Sequence, residues 1–329
     1  MYQAKSKKHL WGRLRSAAVI LGGAALVSCA PTLLHGQAAG WEGETGVFVT
    51  PLAYTATVEG QKIHPVVAYH YFDAGPIIGQ FHEVSTEAGL GKRAEIGYNR
   101  EFHVLGGSGG VYVNGVSAAN LNYLWQNGMD IFNGKLNLVP ENYQKHNWVP
   151  AISAGFIART GDRNVGDYLT YNNQTNNGKN NGDIYLVASK VVTQWVKKMP
   201  IVLNAGVRGT NAELWGMGGN APDWEAKPFG AAAFVFTGPA KSTIIFGTEA
   251  AAQPHHPLGY TSFTDIGGLP LNIPTTLTYC TRIVPMSKYH LNVDFGVAQI
   301  AGRIYNSGAG TVVDLKARQS WGSQITWGF

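Results

Sequence analysis

The last nine residues, Trp321-Gly-Ser-Gln-Ile-Thr-Trp-Gly-Phe329, alternate without a break. Phe329, Trp327, Ile325, Ser323 and Trp321 fall on one side; Gly328, Thr326, Gln324 and Gly322 fall on the other. A period of two is the geometry of an extended strand, and here it gives one apolar face and one small or polar face. Such a strand must cover its apolar face with either a protein core or lipid. Everything else in the sequence bears on that choice.

The same alternation recurs upstream. Ala94, Ile96 and Tyr98 alternate with Arg93, Glu95 and Gly97. Ala119, Leu121, Tyr123 and Trp125 alternate with Asn120, Asn122, Leu124 and Gln126, and Tyr289–Val297 alternates with His290–Ala298. Weaker strand patterns run through 46–58, 64–72, 82–90, 129–138, 149–159, 183–192, 200–210, 229–237, 242–252 and 275–284. No segment after the amino-terminal region keeps apolar residues at helical spacing, and 42 of 329 residues are Gly. The expectation is an all-β fold: an antiparallel transmembrane β-barrel of about 12 to 14 strands, even in number. Asn127-Gly128 and Asn133-Gly134 read as tight turns. Three polar or Pro/Gly-rich stretches, 172–183, 215–228 and 253–274, read as long loops on the outward side.

The amino terminus reads as an export signal, residues 1–38, ahead of a single barrel domain, residues 39–329. Lys5, Lys7, Lys8, Arg13 and Arg15 precede an apolar stretch, Ala17–Val27, that is too short to span a bilayer. Two processing readings compete. Gly36-Gln37-Ala38 offers small residues for cleavage before Ala39, whereas Leu26-Val27-Ser28-Cys29 resembles a bacterial lipobox that would acylate Cys29. The first is preferred, because a membrane barrel needs no lipid anchor. Five of the 25 basic residues and none of the 20 acidic ones lie in 1–38, so the remainder carries 20 of each. The high isoelectric point therefore belongs to the signal, and no basic surface for nucleic acid is expected. The two cysteines, Cys29 and Cys280, allow no disulfide framework; Cys280 lies on a strand pattern as a small packing residue.

A soluble β-sandwich alternates too, but its solvent face should be rich in charge. Only 14% of this chain is charged, and the polar faces carry mostly Asn, Gln, Gly, Ser and Thr. Strand ends are rich in Trp and Tyr, as at membrane interfaces. The terminal strand resembles the closing strand of bacterial outer-membrane β-barrels, in which the final aromatic residues serve the barrel-assembly machinery. That resemblance makes Trp327 and Phe329 the candidate assembly signal and outer-membrane lipid the first partner. Val149-Pro-Ala-Ile-Ser-Ala-Gly-Phe-Ile-Ala-Arg159, Ile184-Tyr-Leu-Val-Ala-Ser-Lys190 and Gly46-Val-Phe-Val-Thr-Pro51 also resemble stretches of the YjbH-type barrels. The likeness implies a role in exopolysaccharide export across the envelope.

Chemistry is sparse. His255-His256 sits in a loop without further ligands at metal spacing, and Ser262 and Asp265 lie near it without a specific pattern. Gly106–Gly110 lacks the strand-to-helix context of a phosphate cradle. His64, His70, His82 and His103 are dispersed on strands. No catalytic residue, metal or cofactor is expected. Arg93, Glu95, Asn120, Asn122, Arg208, Glu249 and Asp294 lie on polar strand faces, and a charge facing mid-bilayer costs roughly 2–4 kcal/mol. They are the candidate lumen-lining residues, either lining an aqueous path or pairing to fill the interior. The expectation is a monomeric outer-membrane barrel passing a polar solute or serving polysaccharide export. The alternatives are an outer-membrane enzyme acting at the barrel rim and a secreted carbohydrate-binding sandwich.

Overall fold

The computed structural model describes residues 38–75, 79–104, 112–113, 116–117, 128–161, 180–193, 199–217, 220–254, 274–285, 290–305, 312–317 and 320–329. Twelve strands form one closed antiparallel barrel. In chain order they are β1 (Ile63–Asp73), β2 (Gln80–Leu90), β3 (Ala94–Val104), β4 (Met129–Val139), β5 (Ala151–Thr160) and β6 (Asn180–Val192). There follow β7 (Ile201–Ala212), β8 (Asn220–Thr237), β9 (Thr243–Ala251), β10 (Thr276–Val284), β11 (Leu291–Gln299) and β12 (Ser320–Gly328). Each strand pairs with its sequence neighbour, and β12 returns to β1 in the register Val66↔Gly328 to Asp73↔Trp321. Closure leaves no open edge, so the wall's backbone donors pair within the sheet without recourse to water. Two short hairpins, Tyr112–Val113 with Val116–Ser117 and Ala301–Tyr305 with Val312–Ala317, lie outside the barrel sheet.

The alternation sorts faces as the terminal strand requires. Trp321, Ile325, Trp327 and Phe329 are about half exposed on the outside, while Gly322, Gln324, Thr326 and Gly328 are buried inside. Ile96, Phe102, Phe156, Leu186, Phe295 and Val297 extend the outer apolar belt around the barrel. Eleven residues at about 3.3 Å each, tilted by about 45°, cover the roughly 25 Å of an outer-membrane apolar band. Tyr71 and Trp321 meet at one end of this belt, their tilted rings 4.9 Å apart, and Trp327 and Phe329 at the other, 4.6 Å apart. A sealed barrel that is greasy outside and polar inside crosses the bacterial outer membrane, and that is where this protein resides. The soluble sandwich is thereby overturned: the twelve long strands form one sheet closed on itself and not two sheets packed face to face.

The connections are unequal. The longest intervals between strands follow β3, β5, β9 and β11, whose ends share one end of the barrel, which by the usual asymmetry faces outward. The short turns 91–93 and 238–242, the start of β1 and the end of β12 share the other, periplasmic end.

Five expectations change. The stretch 172–183 is not wholly loop, since β6 begins at Asn180. Residues 46–58 belong to no wall strand; they lie in the lumen. Residues 215–228 are not wholly loop, since β8 begins at Asn220, with a register shift between Asn220 and Glu225 where Pro222 interrupts the ladder. Asn133-Gly134 is no turn but the middle of β4. Gly128 does take a positive φ of 67°, at the close of a long connection instead of a two-residue hairpin. The pattern at 119–126 lies outside the described residues.

Candidate functional site in the lumen

The lumen holds a folded piece of the chain itself. Residues 39–58 run up and back within the barrel before leaving at the periplasmic end to start β1. Isolated bridges, Ala39 to Thr45 and Gly46 to Pro51, are its internal sheet pairing. Gly43 turns at φ 80° against the Asn99 amide, where a side chain would collide. We refer to this segment as the plug.

Wall side chains hold the plug chiefly by its main chain. Glu249 on β9 accepts from three successive amides, Phe48 (2.9 Å), Val49 (3.0 Å) and Thr50 (3.1 Å), and from the Thr50 hydroxyl (2.8 Å). Successive N–H groups converging on one anion form a backbone nest. Arg282 on β10 donates to the carbonyls of Gly46 (3.2 Å) and Val47 (2.6 Å), and Asp294 on β11 holds its guanidinium at 2.7 Å. Lys135 on β4 donates to the carbonyls of Thr45 (2.7 Å) and Tyr54 (2.9 Å) and pairs with Glu95 at 2.6 Å. Asn133 caps Glu42 O at 2.7 Å, Asn204 caps Pro51 O at 3.0 Å and Gln324 caps Ala39 O at 2.7 Å. Ser189 accepts from Ala53 N at 2.8 Å, and Glu95 from Ala56 N at 2.6 Å. Near the exit, the Tyr54 hydroxyl donates to Glu141 at 3.0 Å.

Side chains of the plug make fewer, specific contacts. Glu42 pairs with Arg159 of β5, which also grips Asp183 of β6 at 2.7 Å. The Phe48 ring lies over Gly296 and Gly322, opposed residues on β11 and β12; a Cβ at Gly296 would stand 3.1 Å from its Cζ. Trp41 presents an edge contact to Phe72, with ring centroids 5.4 Å apart. Among the described residues, two cavities beside the plug are about 10 Å³ each, room for one water at most. At these levels the plug fills the lumen among the described residues.

One side of the lumen is strongly acidic. Glu83 and Glu87 of β2 and Glu95 and Glu101 of β3 all point inward and are buried. Glu83 and Glu101 stand directly opposite each other in the ladder. Glu44 of the plug joins them, and burial together with the neighbouring Glu42 carboxylate holds its carboxyl well above the usual carboxylate range. A hydrogen-bonded chain runs nearby: Ser85 Oγ to His70 Nε2 at 3.2 Å, His70 Nδ1 to Gln324 Oε1 at 3.0 Å, and Gln324 onward to Asp294.

Of the candidate lumen residues, Glu95, Arg208, Glu249 and Asp294 are buried inside the barrel. Arg93 is corrected: it is exposed in the 91–93 turn, one residue before β3, and its guanidinium reaches Leu138 O at 3.5 Å. Asn120 and Asn122 lie outside the described residues, as do His255, His256, Ser262, Asp265, the 106–110 glycines and the whole of 1–37 with Cys29. Cys280 is buried on the inner face of β10, beside Arg282 in the alternation. Trp327 and Phe329 sit on the outer face at the periplasmic end. His64 and His70 face inward, and His82 bonds the Tyr69 hydroxyl outside at 2.5 Å. The residues missed were Glu83, Glu87, Lys135, Arg159, Asp183 and Arg282. The period-two rule, carried through the weaker strands, places every one of them on an inner face.

Solved structures show remote likeness. The KdgM porin aligns over 80% of this chain and 99% of its own, at 10% identity and a TM-score of 0.40. The NanC porin aligns over 80% and 98%, at 8% identity and 0.40. The β domain of the Bordetella autotransporter BrkA aligns over 82% and 99%, at 8% and 0.36. Likeness at this level carries no argument about cargo. Curated proteins give no match. The YjbH-type resemblance stays confined to the short stretches quoted above. One family model covers residues 37–261, the plug and the barrel wall through β9: by that match the chain belongs to the family described as protein of unknown function DUF3034.

Proposed function

We propose that the protein is an outer-membrane channel for small polar solutes, held shut at rest by its own residues 39–58. The observation that carries this reading is how the plug is held. Charged and amide side chains of the wall bind the plug's main chain, in places where a permanently filled interior would be as stable, or more stable, with apolar packing. A wall so polar also suits water, so the lumen tolerates both a seated plug and an aqueous path. Residues 1–38 act as a cleaved export signal in this reading. Sequencing of the mature amino terminus should begin at Ala39, and an acylated Cys29 would overturn that assignment.

The test is planar-bilayer recording from the full chain and from a Glu249→Ala, Arg282→Ala variant that loses the two main anchors. The parent should be closed for most of the record and the variant should show discrete openings. Urea on the parent should do the same, because it competes for the plug's main-chain bonds while the closed wall resists. A folded, heat-modifiable variant that never conducts, with or without urea, would sink the channel.

A second reading is favoured by one observation, the Ser85–His70–Gln324 chain, which has the order of a nucleophile, base and orienting group. It would make the protein an acyl hydrolase. Trp41 packs on His70, with ring centroids 6.0 Å apart, and Glu83 and Glu87 flank Ser85 on the same inward face. Negative charge there opposes the oxyanion of acyl transfer, so the channel is the better reading. Labelling by a fluorophosphonate that is lost in Ser85→Ala would reverse that order.

A further inference from the structure

Holding the plug explains only part of the acidic side of the lumen: Glu87 and Glu95 both accept from the amide and hydroxyl of Thr45, whereas neither oxygen of Glu83 has a partner. Residues 39–58 contain no Lys or Arg. The plug therefore brings no counter-charge to the wall, and adds Glu42 and Glu44. Away from β2 and β3 several inner carboxylates are held by partners: Glu42 and Asp183 by Arg159, Asp294 by Arg282, and Glu249 by its nest of amides. On β2 and β3, four carboxylates face inward, and Lys135 pairs with one of them, Glu95. Like charges directly opposite in a sheet are destabilising, and Glu83 opposite Glu101 is such a pair.

An independent feature lies within this strip. Asn99 is wholly buried, and neither its amide oxygen nor its nitrogen has a hydrogen-bond partner. It points inward from β3 opposite Ser85, so Glu83 and Glu87 are its diagonal neighbours and Glu101 lies next along its own inner face. Both Glu83 oxygens are likewise without a partner. Buried amides and carboxylates are nearly always satisfied. An unsatisfied oxygen-rich lining is what a passing cation coordinates.

We propose that the β2–β3 strip of Glu83, Glu87, Asn99 and Glu101 makes the open lumen selective for cations. The inference deepens the channel reading and rests on it. It assigns the permeant class: small cations and solutes that carry their charge on an amine, with anions repelled.

The measurement is the reversal potential under a tenfold potassium chloride gradient. The channel is the full chain carrying Phe48→Ala and Thr45→Ala, which loosen the plug and leave every wall charge in place. Potassium should be favoured over chloride by roughly threefold or more, as rings of carboxylates do in cation pores. Glu83→Gln, Glu87→Gln and Glu101→Gln together should bring that ratio to about one. If the triple variant does not fold, Glu83→Gln alone should lower the ratio. A conducting channel that favours chloride, or one whose ratio ignores these substitutions, overturns the selectivity alone. A folded protein that never conducts overturns the channel reading and this inference with it.

Discussion

Phe48 offers the sharpest probe of the plug. Its ring is 1% exposed and lies on a floor made by two glycines, one on each of two neighbouring strands. Phe48→Ala removes a buried aromatic, which costs about 3–5 kcal/mol where the site does not collapse. Here the cost falls on seating and not on the barrel, because the wall hydrogen bonds do not involve this side chain. Each 1.4 kcal/mol is tenfold, so the seated-to-unseated ratio should fall between roughly a hundredfold and a few thousandfold. Gly296→Ala attacks the same contact from the other side. Its Cβ would meet three Phe48 ring atoms at 3.1–3.2 Å as its nearest neighbours, an overpacking worth about 1–3 kcal/mol. The two changes must be coupled: once the ring is gone, Gly296→Ala has nothing left to strike. Limited proteolysis within 39–58 reads plug exposure, and single-channel open probability reads the passage. Additive effects, or two folded variants as protected and as closed as the parent, would refute the packing argument.

Glu249→Gln keeps one acceptor and loses the charge that gathers three amides. It should weaken seating by about 1.5–3 kcal/mol, seen as faster proteolysis of the plug in a barrel that still shifts on heating. Rising pH should open the channel. Burial and the neighbouring Glu42 hold the Glu44 carboxyl well above the usual carboxylate range while it is seated, with Glu83, Glu87 and Glu95 also near and Lys135 the opposing cation, and it returns to an ordinary acidity once the plug reaches water. Seating therefore binds a proton. It is favoured below the usual carboxylate range and lost as pH climbs from there toward the raised value of Glu44. A pH titration of open probability that is unchanged by Glu44→Gln would contradict this. Deleting Phe329 should reduce assembled barrel in outer-membrane fractions, counted as the heat-modifiable band, while equal amounts with and without it would remove the terminal aromatic from assembly.

The wall was legible because its physics is local. A strand between lipid and a polar lumen must alternate at every residue, so Trp321, Ile325 and Trp327 announce the outer face wherever the chain goes next. Where the rule failed, a second constraint competed. Asn133-Gly134 has the composition of a turn, but in β4 Asn133 reaches in to cap the plug at Glu42 O, and Gly134 leaves room for the Phe156 ring, 2.7 Å from where its Cβ would be. Arg93 continues the alternation of Glu95 and Gly97 by one step, yet the ladder ends at Ala94 and frees it to the periplasmic turn.

The plug was misread for a deeper reason. Val47, Val49, Leu52 and Tyr54 carry the β-branched and aromatic character of a strand, and a strand is what composition alone returns. What separates a wall strand from a lumen segment is the partner of its backbone. In the wall, main chain pairs with main chain; in the plug, Phe48, Val49 and Thr50 amides turn to Glu249, and the Gly46 and Val47 carbonyls to Arg282. Those partners lie some 200 residues away, and no window on the sequence contains both ends of such a bond. The clue within reach was one of charge. Glu249, Arg282 and Lys135 are expensive inside a barrel unless something polar occupies it, and a segment that precedes the first strand, carries no cation and is punctuated by Gly40, Gly43 and Gly46 supplies bare main chain for them to hold.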